Sequence, residues 1–153
     1  MDKLHLICVD KNTEVTFNLL HDLAPLTECL TLSQCQSVDD ALTKLDTMDR
    51  QGNLVALIVS GSTQLLELIA EDTRFEKTKR ILIASSLSKD VFINAINVAH
   101  INRIYEPTWN ADILLQQARV LLTKYIFDMG LDYEKYQTQL DAETILKRMR
   151  KSI

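Results

Sequence analysis

Four short polar clusters stand where an apolar run stops: Asp10-Lys11-Asn12, Ser60-Gly61, Ala84-Ser85 and Pro107-Thr108. These side chains could hold a cation (Asp10), offer a hydroxyl (Ser60, Ser85) or pair with an anion (Lys11). Each feature also has a plain structural reading. Asp10 serves equally as a helix-start residue near Asn12, Ser60 as a turn residue beside Gly61, and Lys11 as a solvated side chain or a partner of Asp10. A serine hydroxyl without a base or a metal is a poor acceptor for group transfer.

Other chemistries are excluded by count and spacing. The cysteines Cys8, Cys29 and Cys35 are odd in number and contain no CxxC pair, so neither a disulfide framework nor a zinc site is expected. Cys8, inside an apolar run, reads as a small buried hydrophobe. His5, His21 and His100 are far apart and have no ligand-like spacing. With only three glycines, Gly52, Gly61 and Gly130, no GxGxxG or GxxxxGK[ST] phosphate loop can be drawn. G-x-S-x-G and H-E-x-x-H are also absent. The expectation is no metal, no cofactor and no enzymatic activity.

The elements that position the clusters follow from hydrophobic period. The 153 residues are 46% apolar and 25% charged, the profile of a globular domain with one real core. A net charge of −4 argues against a nucleic-acid surface over the whole molecule. No apolar run approaches a membrane span and no signal-peptide pattern opens the chain, so a cytoplasmic protein without membrane contact is expected.

Strand-type runs cover 4–9, about 28–32, 54–59, 80–84 and 101–105. The second is polar enough to be an edge; 54–59 is the most apolar and so central. Helical stripes lie between them. The first is capped by Asn12, carries Val15, Leu19, Leu20 and Leu23, and stops at Pro25. The second is capped by Ser37 and carries Val38, Ala41, Leu42, Leu45 and Met48. The third carries Leu65, Leu66, Ile69 and Ala70. The fourth is capped by Ser88, with Val91, Phe92, Ala95 and Ile96 as its apolar face. The fifth starts near Trp109, with Leu114, Ala118, Leu121, Leu122 and Tyr125. This alternation predicts an α/β fold of the flavodoxin-like type: a parallel sheet in order 2-1-3-4-5 between two helix layers, plus a C-terminal helical extension. Its crevice lies at the carboxyl ends of the strands, where the four polar clusters fall.

Leu6-Ile7-Cys8-Val9-Asp10 resembles the first strand of response-regulator receiver domains. Ala95-Ile96-Asn97 followed by Ile101-Asn102-Arg103 and Trp109 resembles one receiver subgroup, often joined to cyclic-dinucleotide phosphodiesterase domains. The resemblance covers about residues 4–126. Receivers place two acids after strand 1, a phosphoacceptor Asp after strand 3, a hydroxyl after strand 4 and a Lys-Pro after strand 5. Here the first acid matches Asp10 and the second falls on Lys11. The acceptor falls on Ser60, the hydroxyl on Ala84 or, one residue on, Ser85, and the Lys on Pro107. The aromatic switch position falls on Ile104, with Tyr105 beside it. Mg²⁺ wants at least one or two carboxylates, and Pro107 supplies no cation to clamp a phosphoryl group. The resemblance therefore implies a degenerate pseudo-receiver: a signalling module of a bacterial-type two-component or cyclic-dinucleotide pathway that acts through protein contacts. A phosphorylatable receiver with unusual chemistry and a small-ligand-binding domain are the alternatives.

The receiver-like part ends near residue 127, and 128–153 reads as a helical extension or linker. Gly130 stops the fifth helix. Asp141 caps a further turn, and Lys147, Arg148, Arg150 and Lys151 make a basic end. The apolar stripe after Gly130 is thin, and a short helix alone is marginal in water. The extension must therefore lie on its own domain, pair with another chain or fray; a protein partner or a homodimer is expected through the fourth helix, fifth strand and fifth helix and through the extension, with packing on its own domain as the rival. The candidate contacts are Ile104, Tyr105, Tyr125, Tyr133, Tyr136, Leu140 and Met149.

Overall fold

Alternation along the first strand divides the molecule in two. Leu4, Leu6 and Cys8 point into one apolar layer and Ile7 and Val9 into the other, as a period of two requires. In the computed structural model, which describes residues 4–85 and 88–151, β1 (Leu4–Val9), β2 (Leu30–Cys35), β3 (Leu54–Ser60), β4 (Lys79–Ile83) and β5 (Arg103–Tyr105) form one sheet. All neighbours are parallel, in the order β2-β1-β3-β4-β5. A register shift between His5 and Leu6 lets β3 slip past β1 by one residue. Ala56 and Leu57 consequently both face the same layer.

Helices cover both faces. α1 (Thr13–Asp22) and α5 (Ala111–Asp128) pack on the first layer, α2 (Val38–Arg50), α3 (Thr63–Glu71) and α4 (Lys89–Asn97) on the second. Each begins on a side-chain cap. Asn12 accepts from the Glu14 amide, Ser37 from Asp40, Ser62 from Leu65, Ser88 from Val91 and Asn110 from Ile113. Each such cap contributes about 1 kcal/mol. Among the described residues no helix is long and apolar enough to cross a membrane.

Three elements differ from expectation. β2 runs Leu30–Cys35, not 28–32, because a 3-10 turn over Ala24–Glu28 uses the residues after Pro25. At this edge only Leu30 and Cys35 are buried, so apolar content misplaced the strand. β5 is only Arg103–Tyr105; Ile101 instead bonds back to the carbonyl of Ala95. In α4 the expected apolar face is largely in solvent. Ala95 is buried, but Val91, Phe92 and Ile96 are 41%, 43% and 45% exposed.

The loop after α4 is held by a buried arginine. Arg80 of β4 donates through Nε to the His100 carbonyl at 3.2 Å and through Nη1 to the Thr78 carbonyl at 2.8 Å. Among the described residues no carboxylate pairs with it, and burial lowers its pKa. His100 sits at a φ of 48°, the left-handed region that non-glycine residues rarely occupy. The guanidinium satisfies a carbonyl that this turn directs inward.

The segment after α5 folds back on its own chain. Gly130, at a φ of 67°, closes α5 in a Schellman motif: its amide bonds the Phe127 carbonyl and the Leu131 amide bonds that of Ile126. A 3-10 helix over Tyr133–Gln139 leads to α6 (Ala142–Lys151). Tyr133 stacks on Phe127 with ring centroids 5.3 Å apart. Asp141 caps α6 through Thr144, and its amide bonds Thr123 Oγ1 of α5. These contacts bear on the candidate contact residues one by one. Tyr125 and Tyr136 are 3% and 5% exposed inside the first layer, which leaves them almost no area for a second chain. Tyr133 and Leu140 pack on the same cluster but stay partly exposed. Met149, 42% exposed, is the one of the five extension-side candidates that stays largely accessible.

One ion cluster ties the sheet to the extension. Asp128 receives Lys79 of β4 at 2.6 Å and Arg148 of α6 at 2.8 Å. Burial pushes its carboxyl pKa up, but the two cations outweigh burial and hold it below the ordinary value of 3.8. A depressed carboxyl contributes stability above its unfolded pKa and loses it as pH falls through the folded one. Asp128→Asn is expected to lower stability at pH 7 by about 1–2 kcal/mol, since the cluster is only partly shielded. Urea unfolding of the variant and the parent should converge below about pH 4. A gap that stays constant with pH would sink the assignment. Arg80→Met should cost about 2 kcal/mol by stripping two buried carbonyls of a charged donor. In that variant, amide exchange should accelerate around residues 98–102 more than in β1. Uniform acceleration would show that Arg80 acts through the core and not through the loop.

Candidate functional site

The four polar clusters meet at the carboxyl edge of the sheet. Asp10 follows β1, and its amide continues the ladder to the Cys35 carbonyl at 3.2 Å. Its Oδ1 accepts the Asn12 amide at 2.8 Å, a turn that aims the chain into α1. Its Oδ2 lies against Gly61, where any added Cβ would overlap it. A side chain at Gly61 would have to displace the Asp10 carboxylate, and the Gly61 amide bonds the Val9 carbonyl at 3.0 Å. This contact divides the edge into two open clefts.

The cleft toward β5 has a volume of about 440 Å³. Asp10 and Lys11 line it from β1, Gly61 and Thr63 from β3, Ala84 and Ser85 from β4, and Pro107 from the β5 end. The cleft toward β2, about 490 Å³, shares Asp10, Lys11 and Gly61 and adds Gln36 and Ser37. The structure thus brings together five of the six expected pocket residues. The sixth, Ser60, is 0% exposed and lines neither cleft. Its hydroxyl accepts the Ser62 amide at 2.9 Å and donates to the Ser62 carbonyl at 3.3 Å. Both functions of that hydroxyl are used inside a turn.

Chemically, the β5-side cleft offers one carboxylate, one lysine and the hydroxyls of Thr63 and Ser85. Among the described residues no three His, Cys, Asp or Glu side chains converge where a metal could be held. All three cysteines are buried thiols. Burial lifts Cys8 to about 12 and Cys29 to about 11, so neither is a thiolate near neutral pH.

Beside this cleft, β5 sends its side chains to opposite layers. Ile104 packs on the α4 side and Tyr105 on the α1–α5 side. The loop after β5 is pinned by Trp109, whose indole Nε1 donates to Asp22 Oδ2 at 2.8 Å. Sequence reading named Gly61 only as the neighbour of Ser60 and did not single out Thr63 or Lys124. Gly61 alone left a signal, a lone glycine between two serines directly after the most apolar run. Lys124 left none, because the residues that crowd it come from β4, β5 and α6.

Neither family models nor curated proteins give a match to this sequence. Solved structures do. The signal receiver domain of an HD domain-containing protein from Pseudomonas fluorescens Pf-5 is 23% identical, with a TM-score of 0.73 over 85% of this chain and 94% of that one. A protein from Neptuniibacter caesariensis is 19% identical, with a TM-score of 0.70 over 84% and 95%. A response regulator from Thermotoga maritima is 17% identical, with a TM-score of 0.63 over 78% and 98%. At such identities the likeness establishes the fold: this chain has the flavodoxin-like architecture found in receiver domains.

Proposed function

We propose that the chain is a non-catalytic, receiver-like signalling module that takes no phosphoryl group in its crevice and works through protein contacts. The burial of Ser60 carries this reading. The side chain at the end of the central strand, where a receiver needs its acceptor, points into a closed turn. Asp10 would be the single carboxylate for a divalent cation, with Lys11 next to it in sequence and Pro107 opposite. A site with one carboxylate and a neighbouring ammonium is a poor Mg²⁺ site.

The surface that supports protein contact is α4 with its flanks. Val91, Phe92, Ile93, Ile96 and Val98 lie 39–45% exposed within one short segment, and Ile113 at the start of α5 is 54% exposed. Half-exposed apolar side chains gathered in one patch mark an interaction surface. Ile104 lies beneath α4, so β5 joins the patch to the sheet edge. The reading favoured here is a protein partner or a second copy seated on this α4–β5–α5 face.

Incubation with acetyl phosphate and Mg²⁺ should leave the intact mass unchanged. A gain of about 80 Da, the mass of one phosphoryl group, mapped to the strand-3 end would instead make this an atypical active receiver. The surface has its own test. Phe92→Glu with Ile96→Glu should unfold within about 0.5 kcal/mol of the parent, as surface changes do, while a dimer seen by light scattering at about 100 µM should fall to monomer. That concentration corresponds to roughly −5.5 kcal/mol. A stable dimer in the variant would place the interface elsewhere.

A further inference from the structure

Away from the crevice, cationic side chains gather in a cleft of about 400 Å³ where β5, α5 and α6 meet. Arg103 lines it from β5, Lys124 from α5, and Lys147, Arg148 and Lys151 from α6. The whole chain is acidic, at −4, so this concentration is local.

The carboxylates in the lining leave much of that charge unanswered. Asp141 accepts Gln116 through Oδ1 at 2.9 Å, and the Thr144 amide and hydroxyl through Oδ2 at 3.0 and 2.6 Å. Glu143 meets Lys147 at 3.3 Å, but both are well exposed and such a pair is weak. Arg148 is held by Asp128. Arg103 spends Nε on Gln117 and Nη1 on the Asn102 carbonyl, and among the described residues its second terminal nitrogen has no partner. Among the described residues Lys124 and Lys151 make no ion pair. Lys124 shows the resulting strain: burial, then Arg103, Arg148 and Lys79, hold its ammonium below the ordinary lysine range, and Asp128 offsets this only in part. Like charges held together without counter-charge favour an anion. Phosphoryl oxygens suit this set, since a guanidinium supplies parallel N–H donors and ammonium groups act as point charges.

We propose that this cleft binds a small polyanion of the diphosphate type, gripped by Arg103 and Lys124 on one wall and by Lys147 and Lys151, one helical turn apart, on the other. Among the described residues Val120 is the only apolar side chain in the lining, so recognition is by charge. Glu143 interrupts the basic surface and limits it to a compact ligand, where a nucleic-acid strand needs a continuous phosphate track.

Inorganic pyrophosphate, titrated into the full chain at low ionic strength without Mg²⁺, tests this. Calorimetry should give saturable binding at one site. Amide shifts should concentrate at Arg103, at 117–124 and at 141–151, and not at Asp10 or Gly61. Lys124→Gln should weaken binding at least about tenfold, the loss expected for one charge-assisted contact. If that variant folds poorly, Lys147→Gln with Lys151→Gln alters only exposed side chains and should show the same loss. Lys135→Gln removes an equal charge outside the cleft and should bind like the parent. Absence of saturation overturns the proposal, as does equal weakening by the Lys124 and Lys135 variants. So does a single-stranded oligonucleotide whose affinity exceeds that of pyrophosphate and grows with length. None of these outcomes depends on whether the crevice accepts a phosphoryl group.

Discussion

Burial of β1 and β3 on both faces is the constraint from which the site follows. Of their 13 residues only His5 and Leu54 are not fully buried. A strand with apolar layers on either side cannot carry a polar group along its length without losing its hydrogen bonds to water. Polar side chains are therefore forced to the strand ends. A parallel sheet gathers all carboxyl ends on one edge, so Asp10, Gly61, Ala84 and Pro107 meet although nearly 100 residues separate the first from the last.

Position and chemistry then separate. The edge brings side chains together, because the ladder that pairs Val9 with Ser60 sets Asp10 beside Gly61. What the edge holds is a carboxylate already bonded to a backbone amide and a serine already closed on its own turn. Both side chains complete loops. Several half-exposed apolar side chains instead fall within the short α4, where the sheet stops covering the helix. β5 is only three residues long, and only Ala95 of α4 is buried. A strand that short cannot cover a full helical face.

The legible parts of the sequence were those governed by one local rule. Strand order, the caps at Asn12, Ser37 and Ser88, and the stripes of α2 and α5 follow from period and capping, which act within a few residues. β2 was misplaced because an edge strand needs few apolar residues, so Ser33 and Gln34 gave no strand signal. The stripe of α4 was legible as helical, but spacing alone did not show that of its four apolar residues Ala95 is buried while Val91, Phe92 and Ile96 stay exposed. The extension was less legible. Its few apolar residues gave no sign that Tyr136 joins the buried cluster that holds Tyr125, since that cluster exists only in the folded domain. The crevice residues were legible as positions; the inward turn of Ser60 was not, because it depends on the amide of Ser62.

The two exposed features flank the same short strand. Ile104 packs toward α4, while Arg103 and Tyr105 point the other way, Arg103 to Gln117 and the basic cleft, Tyr105 into the first layer. Adjacent residues of a strand cannot move independently, because each peptide unit is shared and the ladder to β4 holds Ile81 against Arg103 and Leu82 against Ile104. A charge that repositions Arg103 therefore acts on the backbone that supports the apolar face of α4.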